Sequence, residues 1–513
     1  MKRTIAIRIV EIVIIALLFA LAFRFPTNSD KSYLEAVAAF LFTTTLFTIV
    51  IRGRHLAWVY VAITLGFISI LYWVPETIAI KGQLPYPLAV FTSGLLCCWE
   101  AFGLIVVVIC GRWAYQRGGP CAAACSAALV MSLSEIYGFH VYHWSWGATL
   151  GGVPWLARSA ALLGTHGLTA LIWVCGVWTG TNIATNGGYK QILCGPLMLV
   201  ITLITGAGIW MILPREQLRI LNVVIVQPNF TPGLHDPHME QDMWQRSDAQ
   251  LKLLGWPLKD IATLLIWPES SVLGRDDRQP SARMRMEAQQ RSIAWLFGTE
   301  GGGFNLVRGE VAGQPSFIQA KVEPMPFGER MPGPNGLRQW LDQYTGFTSQ
   351  QPGVLTENSS FQLPTPQGVL KVHPIICSEA TMSNRVQAGI RIAGGDLLIN
   401  HTNDGWFELN PTTDLHSAEI RLRAVETGLP LIRATLTGKS GIFREDGSWV
   451  LWGRPMTEAT YGFQLRWQPI ITPARSPYIM QRIMLALLLV GAGSCLLRII
   501  SQKRTRSTQL HII

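Results

Sequence analysis

The stretch VHPIICSEATMS, Val372 to Ser383, runs from a β-branched apolar segment into a thiol, a hydroxyl and a carboxylate at Cys377, Ser378 and Glu379. A short apolar run closed by a polar turn reads as a strand buried on both faces, with Cys377 at its C-terminal end. The chain has nine cysteines, yet Cys377 is the only one between Pro214 and Pro477. It therefore has no disulfide partner in that segment. A single thiol in an oxidising compartment is a liability unless it is buried or used.

Whether that compartment applies depends on the rest of the chain. Hydrophobic residues make up 49% and charged residues 14% of 513, against about 25% charged in soluble proteins. The apolar residues gather before residue 214 and after residue 477. Eight blocks are long enough to cross a bilayer, which takes roughly 20 helical residues. They are Ile5–Phe23, Tyr33–Ile51, Ala57–Val74, Leu84–Cys110, Cys121–Tyr137, Ala160–Ala184, Ile192–Leu213 and Tyr478–Ile500. A cleaved signal peptide fits the first block poorly, because Glu11 interrupts it and no small-residue cleavage site follows.

Lys2, Arg3, Arg8, Arg52, Arg54, Arg112, Arg117, Lys190, Arg498, Lys503, Arg504 and Arg506 fall on alternate ends of these spans. The opposite loops carry only Arg24, Lys31, Lys81 and Arg158. Lys and Arg resist translocation, which predicts cytoplasmic termini and an extracytoplasmic segment over 214–476. The formal charge of +10 then reflects topology rather than a nucleic-acid partner. Trp73, Trp144, Trp146, Trp155 and Trp210 fall near span ends, where an amphipathic ring suits the interface. The expected units are a membrane domain over 1–213, an exported domain over 214–476, and a last span with a basic tail over 477–513.

Within the exported segment, LRILNVVIVQPNF, TLLIWPES, SFIQAKVEP, GVLKVHPIICSEA, DLLINHTND and PLIRATLTG read as strands. Helical patterns over 238–254 and 281–292, in SNRVQAGIRIAGG and in TTDLHSAEIRLRAVETG lie between them, and GIFREDGSWVLWG forms a hairpin around Asp446-Gly447. Strands alternating with helices predict a layered α/β sandwich. Gly301-Gly302-Gly303 reads as a bend, since no Lys-Ser or Lys-Thr follows it as in a phosphate loop.

Glu269, Lys321 and Cys377 each fall at or just past a strand end, where function collects in α/β sheets. A thiol can act as a nucleophile, a neighbouring ammonium lowers its pKa and faces an oxyanion, and a carboxylate moves the proton. That is acyl transfer through a thioester, and it requires no metal or cofactor. Read singly, a cysteine such as Cys377 is more often a small buried core residue, and Glu269 and Lys321 fit a surface turn and a solvated strand end. Spacing alone does not bring the three together.

LLIWPES, AKVEPMPFGERMP, HPIICSEA and DLLINHTNDGWF, in this order, resemble the nitrilase (carbon-nitrogen hydrolase) superfamily and, within it, the apolipoprotein N-acyltransferase family. GGVPWLARSAALLGTHGLTALIW and HSAEIRLRAVETGLPLIRATLTGKSG extend the resemblance over nearly the whole chain. It implies eight spans with a nitrilase-like αββα domain inserted before the last, in a bacterial inner membrane. It implies a triad of Glu269 as general base and acid, Lys321 as oxyanion support and Cys377 as nucleophile, with Glu329 and Glu379 in support. The implied reaction moves an acyl chain from a phospholipid to the α-amine of a lipoprotein's N-terminal diacylglyceryl-cysteine. Ser378 departs from the family's usual Tyr and Leu436 from its usual Asn, with Lys439 shortly after. The departures keep two alternatives open: an amidase or acyltransferase paralogue with another acceptor, or an inactive scaffold that binds lipid or a partner protein.

Overall fold

The computed structural model describes residues 2–23, 33–53, 55–82, 84–230, 237–255, 261–273, 279–291, 293–345, 348–406, 412–476 and 478–510. Of the charges that orient the spans, Arg24, Lys31, Arg54 and the side chains of Lys2, Arg3, Lys81, Lys503, Arg504 and Arg506 lie outside the described residues.

The first part of the chain is helical. α1 spans Lys2–Phe23, α2 Leu34–Ile51, α3 Leu56–Ile70, α4 Val74–Lys81, α5 Tyr86–Tyr137, α6 Pro154–Ala157, α7 Ala160–Ala184 and α8 Tyr189–Ile212. Among the described residues, six helices are long and apolar enough to cross a membrane, or seven if the pair α3 and α4, bent by 57°, counts as one. The fourth and fifth expected spans merge in α5, which runs for 52 residues but breaks at Gly119 (φ +75°), before Pro120. Gly176 and Gly180 on α7 let α2 approach closely. A Cβ at Gly180 would sit 2.2 Å from the Thr44 carbonyl oxygen, the small-residue contact that holds membrane helices together. Trp73, Trp146 and Trp210 are buried within helix packing instead of facing the lipid interface. Trp146 lies against Phe19, Phe23, Phe42 and Trp173.

The segment over 214–476 holds thirteen described strands: β1 Arg219–Gln227, β2 Thr263–Ile266, β3 Val272–Leu273, β4 Ala294–Gly301, β5 Phe304–Glu310, β6 Phe317–Ala320, β7 Phe361–Thr365, β8 Gly368–Ile376, β9 Leu397–Thr402, β10 Leu431–Thr435, β11 Gly441–Phe443, β12 Trp449–Trp452 and β13 Ala459–Trp467. They form two sheets, ordered β13-β1-β2-β4-β5-β6, with β3 beside β4, and β12-β11-β10-β9-β8-β7. Side chains alternate along each strand. Leu221, Val223, Leu264 and Ile266 of one sheet meet Val372, Leu397, Ile399 and Ile432 of the other in a shared core. Their neighbours Val224, Leu265 and Trp267 face outward and pack with Met243, Trp244 and Leu251 of α9 (Pro237–Leu253). On the far side, Ile375, Leu398 and Leu431 pack against α12 (Ser383–Ala393) and α13 (Thr412–Thr427), two helices that follow α10 (Gln279–Arg291) and α11 (Asn335–Thr345) in the chain. The layers run helix, sheet, sheet, helix. α14, Ile479–Leu510, returns to pack on α5.

β5, β7 and β13 escape a reading by apolar runs. β7 and β13 are sheet edges. β7 tolerates Pro364, which an inner strand would not, and β13 exposes Gln464 and Arg466. β5 carries Arg308, Gly309 and Glu310 and is held by antiparallel partners on both sides.

Candidate active site

β2 is buried throughout, and Trp267-Pro268 ends its ladder. Glu269 follows, buried, and Ser270 takes φ +49° to turn the chain. The turn lies directly on β4. Gly298 donates its N–H to the Pro268 carbonyl at 3.0 Å, and a Cβ at Gly298 would lie 2.4 Å from the Glu269 Cα. His401 of the other sheet contacts the Trp267 carbonyl through Nδ1 at 2.8 Å. Both sheets therefore fix where Glu269 points.

Lys321 follows β6 and is 1% exposed. Its Nζ lies 2.7 Å from each oxygen of Glu329 and 3.9 Å from Glu269 Oε1. Glu329 is held in turn by the Met325 N–H at 2.7 Å, within a turn where Phe327 has φ +62°. Cys377 opens the 3-10 turn Cys377–Thr381 directly after β8, also with positive φ, +49°. A left-handed residue at a strand end aims its side chain away from the ladder, and such strain collects at functional sites.

Glu379 does not face this pocket. Its Oε1 accepts from the N–H groups of Val322 (2.7 Å) and Glu323 (3.1 Å), and its Oε2 from that of Ile376 (3.0 Å). With Arg385 Nε at 3.2 Å, it ties the loop after Lys321 to the strand end before Cys377.

The buried charges bias one another. Burial pushes Glu269 up, opposed by Lys321 and reinforced by Glu329, and it settles at about 7. Hydrogen bonds from Asn305 and Cys377 pull it partly back. Burial would lower Lys321, but Glu329, Cys377 and Glu269 outweigh it, and the amine stays protonated above its ordinary range. Burial pushes the Cys377 thiol up to about 12, helped by the Glu269 carboxylate and opposed by Lys321. The cation expected to favour a resting thiolate is therefore outweighed. The site holds a neutral thiol beside a carboxylate poised near neutrality and a permanent cation. That arrangement suits proton removal during attack rather than before it.

Three groups in this site have no counterpart in the sequence reading. Asn305 on β5 donates through Nδ2 to Glu269 Oε1 at 2.6 Å, lies 3.4 Å from Glu329 Oε1, and accepts the Lys321 N–H at 2.8 Å on its carbonyl. Asn400 on β9 donates to the Cys377 carbonyl at 3.1 Å, and its Oδ1 accepts from Arg433 at 3.3 Å. Arg433 in turn grips both oxygens of Asp404, at 2.7 and 2.6 Å. The available signal was a buried polar residue inside an apolar strand, as in LLINHT, since such a residue needs partners.

Residues 323–460 match the family model for carbon-nitrogen hydrolases. The chain is 28% identical over 405 residues to an apolipoprotein N-acyltransferase of Allorhizobium ampelinum, covering 73% of each chain. It is 27% identical over 427 residues to one of Sinorhizobium medicae, covering 75% of each. With one of Rhizobium meliloti the identity is 30% over 243 residues, covering 42% of this chain and 44% of that one. These similarities point to the apolipoprotein N-acyltransferase family of the nitrilase superfamily. The family model spans Glu329, Cys377 and Glu379 and begins after Lys321. Of this chain's departures from the apolipoprotein N-acyltransferase pattern, Leu436 is fully buried in the outer core with Trp267 and Trp295. Ser378 keeps its Oγ buried with no hydrogen-bond partner among the described residues.

Proposed function

We propose that this protein transfers a fatty acyl chain from a phospholipid, through a thioester on Cys377, to the N-terminal α-amine of a diacylglyceryl-modified lipoprotein. The observation that carries this reading is the convergence of Glu269, Lys321 and Glu329 in one buried cluster that biases the Cys377 thiol. The thiol sulfur attacks the ester carbonyl as Glu269 takes its proton. A C–S bond forms, and the carbonyl pair moves onto oxygen, facing Lys321. Collapse breaks the C–O bond to glycerol, and Glu269 returns the proton to that oxygen, releasing a lysophospholipid. The α-amine then attacks the thioester, and Glu269 carries a proton from nitrogen to the departing sulfur.

The membrane half gives both lipid-anchored substrates a common plane. Phe139, in the loop after α5, meets Phe327, two residues from Glu329, with ring centroids 6.4 Å apart. This contact supports a site that opens beside the bilayer. We assign 1–213 to the membrane domain, 214–476 to an extracytoplasmic catalytic domain, and 477–513 to the last span and a cytoplasmic tail. At about 1.5 Å per residue, the 52 residues of α5 are far too long for one crossing. We count its two parts around Gly119 separately, and α3 with α4 as one, as eight crossings; the even number and the Lys and Arg distribution support cytoplasmic termini in a bacterial inner membrane.

The test is to incubate purified protein with phospholipid and search the Cys377 peptide for a hydroxylamine-labile acyl adduct. The adduct is expected in the wild type and absent from Cys377→Ala. A wild type that forms none contradicts the proposal. The unpartnered Ser378 hydroxyl favours a second reading, in which the same thioester passes to a different amine or to water. Presenting the acyl-enzyme with a diacylglyceryl lipopeptide separates the two: N-acylation supports the first reading, and hydrolysis alone supports the second.

A further inference from the structure

α13 belongs to two cores. Leu415, Ala418, Leu422 and Val425 pack with the membrane helices, while Ile420 and Ala424 pack on the outer face of the second sheet. Glu419, Arg423 and Glu426 lie between these faces, fully buried. Arg423 Nε is 3.0 Å from Glu426 Oε2, and its Nη2 is 3.8 Å from Glu419 Oε2.

The cluster holds on to both halves of the molecule. On the catalytic side, Arg423 Nη1 donates to the carbonyl of Thr381, the last residue of the turn that Cys377 opens, at 3.1 Å. Ser383, at the start of α12, donates its hydroxyl to Glu426 at 3.0 Å. On the membrane side, Arg423 Nη2 donates to the Thr165 hydroxyl, and Glu426 accepts the Thr165 N–H. Glu419 accepts from the Ser145 N–H at 2.6 Å and hydroxyl at 3.0 Å. Thr165 follows Gly164, whose φ of +68° breaks α7. The break starts a new helical run with orphan N–H groups, and Glu426 caps it from the other half of the protein.

Burying charged groups costs several kcal/mol per ion in desolvation, and well-packed apolar residues would often stabilise such a contact at least as well. What the charges add is direction. A guanidinium fork fixes the distance and angle between two groups at once, which an ammonium cannot do. We propose that Arg423 is a positioning residue that transmits the register of α7, at its break, to the nucleophile turn, and so sets the attack geometry of the Cys377 thiol. The proposal rests on Cys377 being the nucleophile.

The test uses the full-length protein in membranes with three single variants and the double variant Arg423→Lys/Thr165→Val. Arg423→Lys keeps a charge for Glu426 but lacks the fork. Thr165→Val removes the hydroxyl on the membrane side, and Thr165→Ser restores it. The readouts are alkylation of the Cys377 peptide by a small maleimide, followed by mass spectrometry, the rate and phospholipid dependence of acyl-adduct formation, and thermal unfolding. Arg423→Lys and Thr165→Val are expected to change Cys377 alkylation and to slow adduct formation on the order of tenfold at saturating phospholipid. Half-saturation is expected to stay unchanged, the double variant to be no slower than the slower single one, and Thr165→Ser to recover the wild-type rate. Folded variants with wild-type alkylation and adduct rates would overturn the coupling, as would fully multiplicative effects. If Arg423→Lys does not fold, Thr165→Val and Thr165→Ser decide alone. A wild type that forms no adduct while Thr165→Val still alters Cys377 alkylation would sink the acyltransfer reading and leave the coupling standing.

Discussion

Burial raises Glu269 and Cys377 unequally, to about 7 and about 12, so the shared proton rests on sulfur. The proposed mechanism needs the Glu269 carboxylate. Acyl-adduct formation should climb as pH rises through about 7 and then level off. Glu269→Gln should remove that limb and slow the reaction by about 10² to 10⁴, as a stopped-time assay across pH would record. The same group has an opposite effect on stability. Its folded pKa lies above its ordinary 4.5, so its contribution to stability is complete below that value and is lost as pH rises through about 7. Thermal unfolding of the wild type relative to Glu269→Gln should therefore worsen over that window. Asn305 pulls Glu269 downward through its hydrogen bond. Asn305→Leu should shift the acidic limb to higher pH and destabilise by about 1–3 kcal/mol, because a buried carboxylate oxygen loses its donor. An unmoved limb would remove Asn305 from the proton chemistry.

β4 and β10 position the site without entering it. Gly298→Ala would place a methyl 2.4 Å from the Glu269 Cα and 2.6 Å from the Pro268 carbonyl oxygen, both backbone atoms that cannot swing aside. Overpacking of this kind costs about 1–3 kcal/mol, and the forced shift of Glu269 should lower adduct formation far more than it lowers the unfolding temperature. On β10, Arg433 and Asp404 are a buried pair. Arg433→Met should destabilise by about 3–5 kcal/mol, because buried Asp404 loses its guanidinium and is left with the weaker contact of His416 Nδ1 at 3.7 Å. These contacts also mark where the sequence stops informing. The strand ends carrying Glu269, Lys321 and Cys377 could be read because each follows a short apolar run broken by proline or a polar turn. Asn305 could not, because its strand exists only through pairing with β4 and β6. The upward shift of Cys377 was also out of reach. Whether burial or Lys321 wins depends on how deep the pocket lies, and no spacing along the chain encodes that depth.

The two halves meet through α13, which lends one face to each. A fragment spanning 214–476 would expose Leu415, Ala418, Leu422 and Val425 as an apolar stripe. It should self-associate in size-exclusion chromatography without detergent, and a monomeric fragment with native Cys377 reactivity would contradict the shared-core description. The halves are also joined at the sheet. Arg219 at the start of β1 pairs with Trp467 at the end of β13, so the chain enters and leaves the catalytic half through neighbouring strands. An inserted domain can then sit between two spans without prising them apart. The arrangement also sets a timetable for synthesis. β1 emerges first and waits for β13 while everything between them is made. During that wait the nine residues of β1 offer an open edge on the far side from β2, available to any passing strand. The last strand of the domain is thus also its closure, and biogenesis is most exposed in the interval before Trp467 is made.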